Sequence, residues 1–277
     1  MKSNRSTDPR PYGARYREAI DRSRARLGRL ASGFEFFPTV ASTNDVALER
    51  TAAAALARRD AEGLVVVADE QTAGRGRRGH VWFSPPGSGL YVSVVLAPAR
   101  ARIDPARATL LLTLAAGVAI ADGVATATGL RPDVKWPNDL QVSRRKLAGI
   151  LAEGAAGNQV VLGYGVNIAP AAFPPELRDR TTSIESELGR PADPVHVLVE
   201  TLAALWCRYD DLLAGRFDAI LDAWRALAPS AAGARVSWST SAGMLSGITA
   251  GIDDHGALLV CRDGRIDRIV GGELSWL

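Results

Sequence analysis

Lysine is almost absent from this sequence of 277 residues. Of its 33 basic side chains, all but Lys2, Lys135 and Lys146 are arginine. The two residue types differ where a compact, strongly hydrated ammonium has to reach a phosphate or carboxylate oxygen. Lys135 and Lys146 lie within one short stretch of a chain that otherwise uses arginine. Their presence there has two explanations, chance or a functional requirement for an ammonium. The residues around them decide between the two.

Cysteine is also scarce, and long apolar runs are missing. Cys207 and Cys261 are too few for a disulfide framework, which excludes a disulfide-stapled secreted domain and suits a reducing cytosol. The first residues are charged and lack an apolar segment, so we expect no signal peptide and a cytoplasmic protein. The most apolar stretch, 109–120, is too short to span a bilayer and is soon followed by Asp122. It predicts a buried core helix and no membrane partner.

Positive charge is concentrated at the start of the chain. Residues 1–30 carry nine basic and three acidic side chains, whereas the whole sequence has a formal charge of +3, so the remainder is net acidic. A charge run of this kind is typical of a solvated helix. We therefore expect a basic N-terminal arm over residues 1–33 and no DNA partner.

The apolar pattern predicts an α+β protein with a small all-β module at its end. Ser42 or Thr43 is the expected N-cap of an alanine-rich helix. After Pro229, short apolar stretches alternate with Gly and Asp turns, which predicts a barrel of SH3-like size over residues 230–277 behind a catalytic domain over 34–229. Helices are predicted over 16–30, 46–58, 105–128, 194–214 and 217–227, and strands over 34–38, 64–68, 90–96, 134–136, 146–153 and 159–167.

A glycine- and arginine-rich loop, residues 74–79, follows the strand predicted over 64–68. No Lys-Ser or Lys-Thr follows it, so it is not a Walker A loop, and its glycine spacing is not that of a dinucleotide fingerprint. Glycines let the backbone wrap closely around a ligand, and arginines offer forked donors to carboxylate or phosphate. The alternative is a solvated surface loop.

Three further motifs contain the two neighbouring lysines or follow them. Lys-Trp-Pro-Asn-Asp at 135–139 places an ammonium, an amide and a carboxylate around a proline turn, which suits Mg·ATP; the alternative is a polar turn with a buried tryptophan. Lys-Leu-Ala-Gly-Ile-Leu at 146–151 places a lysine at a strand start, and Gly-Tyr-Gly-Val-Asn-Ile at 163–168 ends a strand on an amide. Each motif alone is weak.

Taken in order, the motifs resemble those of biotin protein ligases over about residues 42–277. The matching elements are Ser-Thr-Asn at 42–44, the segment from Gln71 to Gly79, the two lysine motifs, Gly-x-Gly-x-Asn at 163–167 and Gly-Gly-Glu-Leu at 271–274. The resemblance implies a mixed β-sheet catalytic domain of the biotin/lipoate ligase type, similar to class II synthetases, followed by an SH3-like β-barrel. It also implies that biotin is activated with Mg·ATP as biotinyl-5′-AMP and then passed to a carrier lysine.

The resemblance assigns roles to individual residues. Those expected to act in the chemistry are Lys146, Lys135, Arg75, Arg77 and Asp139, the last as the group that orients or accepts a proton from the carrier amine. Trp82 is expected to stack on adenine, with a core tryptophan as the alternative. No residue is expected to hold a resident metal. The set expected to bind biotin, ATP or the adenylate is Ser42, Thr43, Asn44, Gln71, Gly74, Arg75, Gly76, Arg77, Trp82, Lys135, Asn138, Lys146, Gly149 and Asn167.

The partner implied by the resemblance is the biotin carboxyl carrier protein of acetyl-CoA carboxylase or a related carboxylase, with a homodimer possible. His80 stands where many relatives have another arginine, which puts a phosphate role there in doubt. The segment before residue 34 is too short for a winged-helix domain, so we expect a ligase without repressor activity. The alternatives are a lipoate protein ligase and a biotin-sensing regulator.

Overall fold

The computed structural model describes residues 12–171, 173–240, 243–272 and 274–276. The first eleven residues of the predicted arm and Glu273 of the terminal motif lie outside the described residues. The helices are α1 (Tyr12–Leu27), α2 (Thr43–Leu56), α3 (Pro105–Thr128), α4 (Pro175–Arg178), α5 (Ile184–Leu188), α6 (Pro194–Leu213) and α7 (Phe217–Leu227).

Twelve strands among the described residues form two sheets. The larger has the order β1-β2-β3-β7-β6-β5-β4; β1 and β2 are parallel and the other neighbours antiparallel. The strands are β1 (Gly33–Val40), β2 (Leu64–Gln71), β3 (Gly89–Leu96), β4 (Asp133–Lys135), β5 (Asp139–Val142), β6 (Arg145–Ala155), β7 (Gln159–Asn167), β8 (Ala232–Thr240), β9 (Gly243–Ile252), β10 (Leu258–Arg262), β11 (Arg265–Ile269) and β12 (Leu274–Trp276).

One face of the larger sheet is covered by the apolar helices. Strand alternation places Leu162, Tyr164 and Val166 of β7 in the same buried cluster as residues of α3 and α6. Helix α3 is long and apolar enough to cross a membrane by length and composition, yet 72% of its most apolar window is buried inside the protein. The predicted core helix is therefore confirmed.

The opposite face of the sheet is only partly covered. Helix α2 packs there through Ala47 against Val66, Val95 and Val161. Beyond α2, the same face of β6 and β7 carries glycines and polar side chains in place of apolar ones, including Gly149, Glu153, Gly163 and Gly165. The small residues leave an open cavity on this side of the sheet.

The smaller sheet confirms the predicted all-β module at the C-terminus. Its order is β11-β10-β9-β8-β12, and every neighbouring pair is antiparallel. It contacts the first part of the chain directly, because the indole Nε1 of Trp136 donates to the carbonyl of Gly256 at 2.9 Å and Arg107 Nε donates to the carbonyl of Asp254 at 2.8 Å. These bonds bring the end of the chain to the β4 edge of the larger sheet.

Several predicted elements differ from the structure at their ends; β1, β2 and β6, for example, are longer than the strands predicted over 34–38, 64–68 and 146–153. Helix α1 begins at Tyr12 and packs on α6, where Arg26 binds both carboxylate oxygens of Glu200. Helix α2 begins at Thr43, with Ser42 in the N-cap position but making no side-chain cap bond. The segment after Pro137, predicted as a turn, continues into strand β5 because Asp139 pairs with Gly149 of β6.

Candidate active site

A large cavity lies between the open face of the larger sheet, the loop over 74–79 and strand β12. Its volume of about 1190 Å³ exceeds the usual range for one small ligand, about 300–1,000 Å³. Of the residues singled out from the sequence, all but Gly74 line it. Its arginine, lysine and aspartate lining comprises eight cations and three carboxylates: Arg75, Arg77, Arg78, Lys135, Arg144, Lys146, Arg180, Arg235, Asp133, Asp139 and Asp179.

One end of the cavity is a neutral hydrogen-bonding wall at the start of α2. Ser93 of β3, fully buried, has its hydroxyl 2.8 Å from Thr43 Oγ1 and 2.5 Å from Asn44 Oδ1. A Cβ at Gly163 would lie 2.1 Å from Asn44 Oδ1, so the close approach of this amide to β7 requires glycine. Ser42 completes the wall and is 2% exposed.

Gln71 extends this wall toward the loop. Its Oε1 accepts from the backbone N–H of Thr43 at 2.8 Å and from the Thr43 hydroxyl at 3.1 Å, while its Nε2 donates to Ser84 Oγ at 3.0 Å. Each amide nitrogen of Gln71 and Asn44 carries two hydrogens, and one per side chain is used here. The Thr43 hydroxyl, as an acceptor, and the Asn44 and Gln71 amides, as donors, thus line the same end of the cavity.

The loop is a small hairpin in which Gln71 pairs with Ser84 and Arg75 with Val81. Gly76 N–H donates to His80 C=O at 2.7 Å, and Trp82 N–H donates to Gly74 C=O at 2.9 Å. A Cβ at Gly74 would lie 2.4 Å from the Trp82 carbonyl oxygen. Glycine is therefore needed at this position for the two arms of the hairpin to pack, although Gly74 does not line the cavity. His80 closes the tip through its backbone, so its place in the loop does not depend on its side chain.

Arg75 and Arg77 have different surroundings although only Gly76 separates them. Arg75 forms a bidentate pair with Glu153 at 3.0 and 2.8 Å and a second ion pair with Asp45 at 2.7 Å. Arg77 donates to Asn138 Oδ1 at 3.3 Å, and burial and the neighbouring Arg78 lower its pKa. Arg77 therefore faces the cavity without a carboxylate bound to it among the described residues.

A β-bulge turns Lys146 into the cavity. On β6, Ala148 and Ile150 face the core, and a regular strand would place residue 146 with them. The pairing with β5 shifts between Ala148 and Lys146, so Leu147 is the extra residue and Lys146 turns toward the side of Gly149. Its Nζ lies 2.7 Å from Asp139 Oδ1.

Asp139 faces Lys146 across the cavity. Its Oδ1 is buried beside the Lys146 ammonium and has no hydrogen-bond partner among the described residues. Asn138 next to it donates through Nδ2 to the Ile150 carbonyl at 2.7 Å, which fixes the side to which its oxygen points. One carboxylate and one amide oxygen therefore lie side by side at the cationic end of the cavity.

Lys135 lies at the same end and has a lowered pKa. The largest cause is burial; Asp139 opposes the shift, and the nearby cations Lys146, Arg180 and Arg144 add to it. The Lys135 Nζ also lies over the ring of Trp276, 5.4 Å from its centroid. Strand β12 thus supplies an aromatic side chain, Trp276, to the cationic end of the cavity.

Asn167 and Trp82 occupy the floor. The Asn167 amide donates to the Thr182 carbonyl at 2.9 Å, which holds the segment 180–182 beside Lys146. Trp82 is half-buried, and the Lys146 Nζ lies over its ring, 5.2 Å from the ring centroid. The indole Nε1 has no hydrogen-bond partner among the described residues. Its indole lines the cavity and is not part of the apolar core cluster.

Comparison with known proteins identifies the family of this chain. The pattern describing the biotin/lipoate A/B protein ligase family matches residues 36–167. A biotin–[acetyl-CoA-carboxylase] ligase of Mycobacterium tuberculosis is 33% identical over 271 residues, covering 92% of this chain and 94% of its own. The chain belongs to the biotin protein ligase family.

Other members extend the comparison. The bifunctional ligase/repressor BirA of Escherichia coli is 34% identical over 90% of this chain and 76% of its own, and the Bacillus subtilis BirA is 36% identical over 77% of this chain and 66% of its own. The biotin protein ligase of Aquifex aeolicus, solved in complex with biotin and ATP, superposes with a TM-score of 0.75 at 26% identity, covering 89% of this chain and 99% of that one. The α+β fold of this family with its C-terminal β-module is confirmed.

Several residues of the site were not singled out from the sequence. Ser93 is the one serine within the apolar run 90–96, and that position was a usable signal. Glu153 ends the alternating strand that starts at Lys146, where its charge looks like ordinary solvent exposure. Trp276 and Arg235 come from the β-module, and their arrival at the cavity depends on how the two sheets meet.

Proposed function

We propose that this chain is an ATP-dependent biotin protein ligase that makes biotinyl-5′-AMP and transfers the biotinyl group to a lysine of a biotin carboxyl carrier protein. The observation that carries the proposal is the position of Lys146 in the cavity. It lies between a neutral wall of hydroxyls and amides and a cationic end with Lys135, Arg77 and Asp139.

The neutral wall suits the ureido group of biotin. A buried urea needs both donors and acceptors, and the Thr43 hydroxyl with the amides of Asn44 and Gln71 supplies both. A lipoyl group has an apolar end and would leave these polar groups unpaired, which is costly in a buried site. The wall therefore favours biotin over lipoate.

The cationic end suits the phosphates. The biotin carboxylate attacks the α-phosphorus, the bond to the bridging oxygen breaks, and pyrophosphate leaves. Charge grows on the α-phosphate and leaving oxygens, so preorganised cations at Lys146, Lys135 and Arg77 lower the barrier electrostatically. We assign Arg75 the same role only through the loop it holds, because two carboxylates neutralise it.

ATP enters as its magnesium complex in this proposal. Mg²⁺ is commonly bound by one or two protein carboxylates together with phosphates and water, so a dedicated cage is not required. Among the described residues no cluster of three acidic, His or Cys ligands is present, and the Asp139 carboxylate, which is paired with Lys146, is the acidic group we assign to a metal that arrives with the nucleotide.

In the second step the carrier amine attacks the biotinyl carbonyl carbon and AMP leaves with the bonding electrons. The amine loses a proton as the amide forms, and we assign Asp139 to orient the amine or accept the proton. Trp82 is the proposed adenine partner. Closing the loop over 74–79 would keep water from the anhydride.

The partner, location and assembly complete the proposal. The arginines of α1 are engaged inside the chain, for example Arg15 with Asp193 and Arg24 with Asp21, so we do not assign this helix to DNA. The reaction is placed in the cytoplasm with a carboxylase carrier domain as partner. A homodimer is compatible with the open edge of β1, and sedimentation would test it.

The deciding experiment is biotin-dependent exchange of labelled pyrophosphate into ATP, followed by mass analysis of a carrier domain incubated with enzyme, biotin and Mg·ATP. The expected result is exchange with biotin and a single biotinyl addition to the carrier. Exchange supported by lipoate and not by biotin would overturn the proposal. Binding to duplex DNA without exchange would favour the regulator.

A further inference from the structure

Glu153 of β6 connects the neutral wall of the cavity to the loop over 74–79. Its Oε2 accepts from Asn44 Nδ2 at 2.6 Å, and the same oxygen accepts from Arg75 Nη2 at 2.8 Å. The other oxygen accepts from Arg75 Nη1 at 3.0 Å. Its side chain is 24% exposed, so the group is partly shielded from water.

We propose that Glu153 is a positioning residue that couples biotin recognition to the order of the adenylate loop. This inference rests on the proposed ligase function. Strand alternation places Glu153 on the cavity face with Gly149, and there it bonds one residue of the wall and one residue of the loop. A shift of either the Asn44 amide or the Arg75 guanidinium changes the bonds available to the other.

The Asn44 side of this connection is rigid. Asn44 Oδ1 bonds to the Ser93 hydroxyl at 2.5 Å and lies where Gly163 leaves room for it. Ser93 holds the oxygen of the amide and Glu153 accepts one of its two N–H groups. The second N–H is the one left for a ligand, and its direction is set by these two bonds. Ser93 and Glu153 together thus fix which way the amide points into the neutral wall.

The Arg75 side holds one arm of the loop. The hairpin is anchored at its base by Gln71 and Ser84, whereas its tip contains Arg78 and Gly79 at positive φ. Arg75 lies between base and tip, and its side chain reaches across to β6 and to Asp45 of α2. Arg77 is two residues farther along the loop. The bond between Arg75 and Glu153 therefore limits where the Arg77 guanidinium can lie.

The test substitutes Glu153→Gln, which is isosteric but cannot accept a bidentate pair from arginine and a bond from Asn44 at once. We expect KM for biotin to rise about tenfold, as for loss of a charge-assisted hydrogen bond. We also expect more AMP to be released without carrier, because water attacks the anhydride when the loop is loose. Glu153→Asp, which keeps the charge, should recover part of both properties.

The matched control is Glu35→Gln. Glu35 forms a bidentate pair with Arg50 at 2.8 and 3.0 Å between β1 and α2, with comparable exposure, and Arg50, unlike Asn44 and Arg75, does not line the cavity. It should leave biotin KM and AMP leakage unchanged. If Glu153→Gln folds, exchanges pyrophosphate and leaks AMP like the wild type, the inference is overturned; if the wild type makes no adenylate, the proposed function fails instead.

Should Glu153→Gln fail to fold, Arg75→Lys gives a second route. Lysine keeps the charge but lacks the fork that binds both carboxylate oxygens. The expected result is the same increase in AMP leakage at nearly unchanged melting temperature. Leakage equal to that of the wild type would count against the coupling.

Discussion

Gly165 of β7 lies directly against the indole of Trp82. A Cβ built at this glycine would be 2.4 Å from Trp82 Nε1, and one at Gly149 would be 2.9 Å from Trp82 Cζ3. The two glycines are register partners on neighbouring strands, so they form a flat surface without side chains beneath the ring. The position of the tryptophan is therefore determined by two glycines that belong to different sequence motifs.

Gly165→Ala is expected to displace Trp82 and weaken nucleotide binding. The added methyl cannot fit under the ring, and the β-strand around it leaves little room for the backbone to move. Stacking between a base and an aromatic side chain contributes about 1–3 kcal/mol, so KM for ATP should rise about tenfold or more. Pyrophosphate exchange at varied ATP, with intrinsic tryptophan fluorescence, measures the effect.

Gly154→Ala on β6 is the control for that substitution. No atom lies within 4 Å of a Cβ built there, so ATP kinetics should match the wild type. Equal KM values for ATP in both alanine variants and the wild type would show that Trp82 does not bind the nucleotide.

Much of the fold follows from local pattern. Helix α3 and strand β3 have the predicted bounds or nearly so, because a long alanine- and leucine-rich run and a β-branched run with a preceding turn leave few alternatives. The start of α2 was missed by three residues, since Thr43 and Asn44 look like capping residues although tertiary bonds from Ser93 and Gln71 hold them in the first turn.

The site was predictable in its residue types and less so in its pairings. The rarity of lysine singles out Lys135 and Lys146, and both line the cavity. The sequence cannot show that a bulge at Leu147 rotates Lys146 toward Asp139, because a bulge depends on the partner strand. It also cannot show that Arg75 is neutralised while Arg77 is not, since the carboxylates that decide this come from α2 and β6.

Lys146→Met should abolish most adenylation while leaving the protein folded. The substitution removes the ammonium at the centre of the cavity and keeps a flexible side chain of similar length. Loss of one preorganised charge-stabilising group costs about 100- to 1,000-fold in kcat. Arg145→Gln, which breaks only the neighbouring pair with Glu187, is the control and should retain exchange activity. Near wild-type exchange by Lys146→Met would remove this lysine from the chemistry.

ATP binding is expected to weaken with rising pH through Lys135. Burial and nearby cations lower its pKa, so it loses its proton at a pH where exposed lysines, near 10.4, are still charged. The phosphates need the ammonium; KM for ATP should therefore be lowest below the lowered pKa and rise as the pH increases through it.

Lys135→Arg tests the assignment because arginine stays charged throughout this range. The variant should show a flatter dependence of KM for ATP on pH, even if its absolute KM is higher. KM for biotin serves as the internal control, since the neutral wall contains no group expected to titrate there. The same pH profile in wild type and variant would assign the titration to another group.

Trp276→Leu is expected to raise KM for ATP modestly and to leave KM for biotin unchanged. The indole lies 5.4 Å from the Lys135 ammonium, and such cation–π contacts contribute about 0.5–1 kcal/mol when partly exposed, which corresponds to a two- to fivefold change. Trp276→Phe keeps an aromatic face and should lie between leucine and wild type, whereas a role in packing alone would make phenylalanine and leucine equivalent. Steady-state kinetics at varied ATP, with melting temperatures for all three proteins, separates these outcomes. If the leucine variant instead loses affinity for biotin, the β-module contacts the opposite end of the cavity from the one assigned to Trp276.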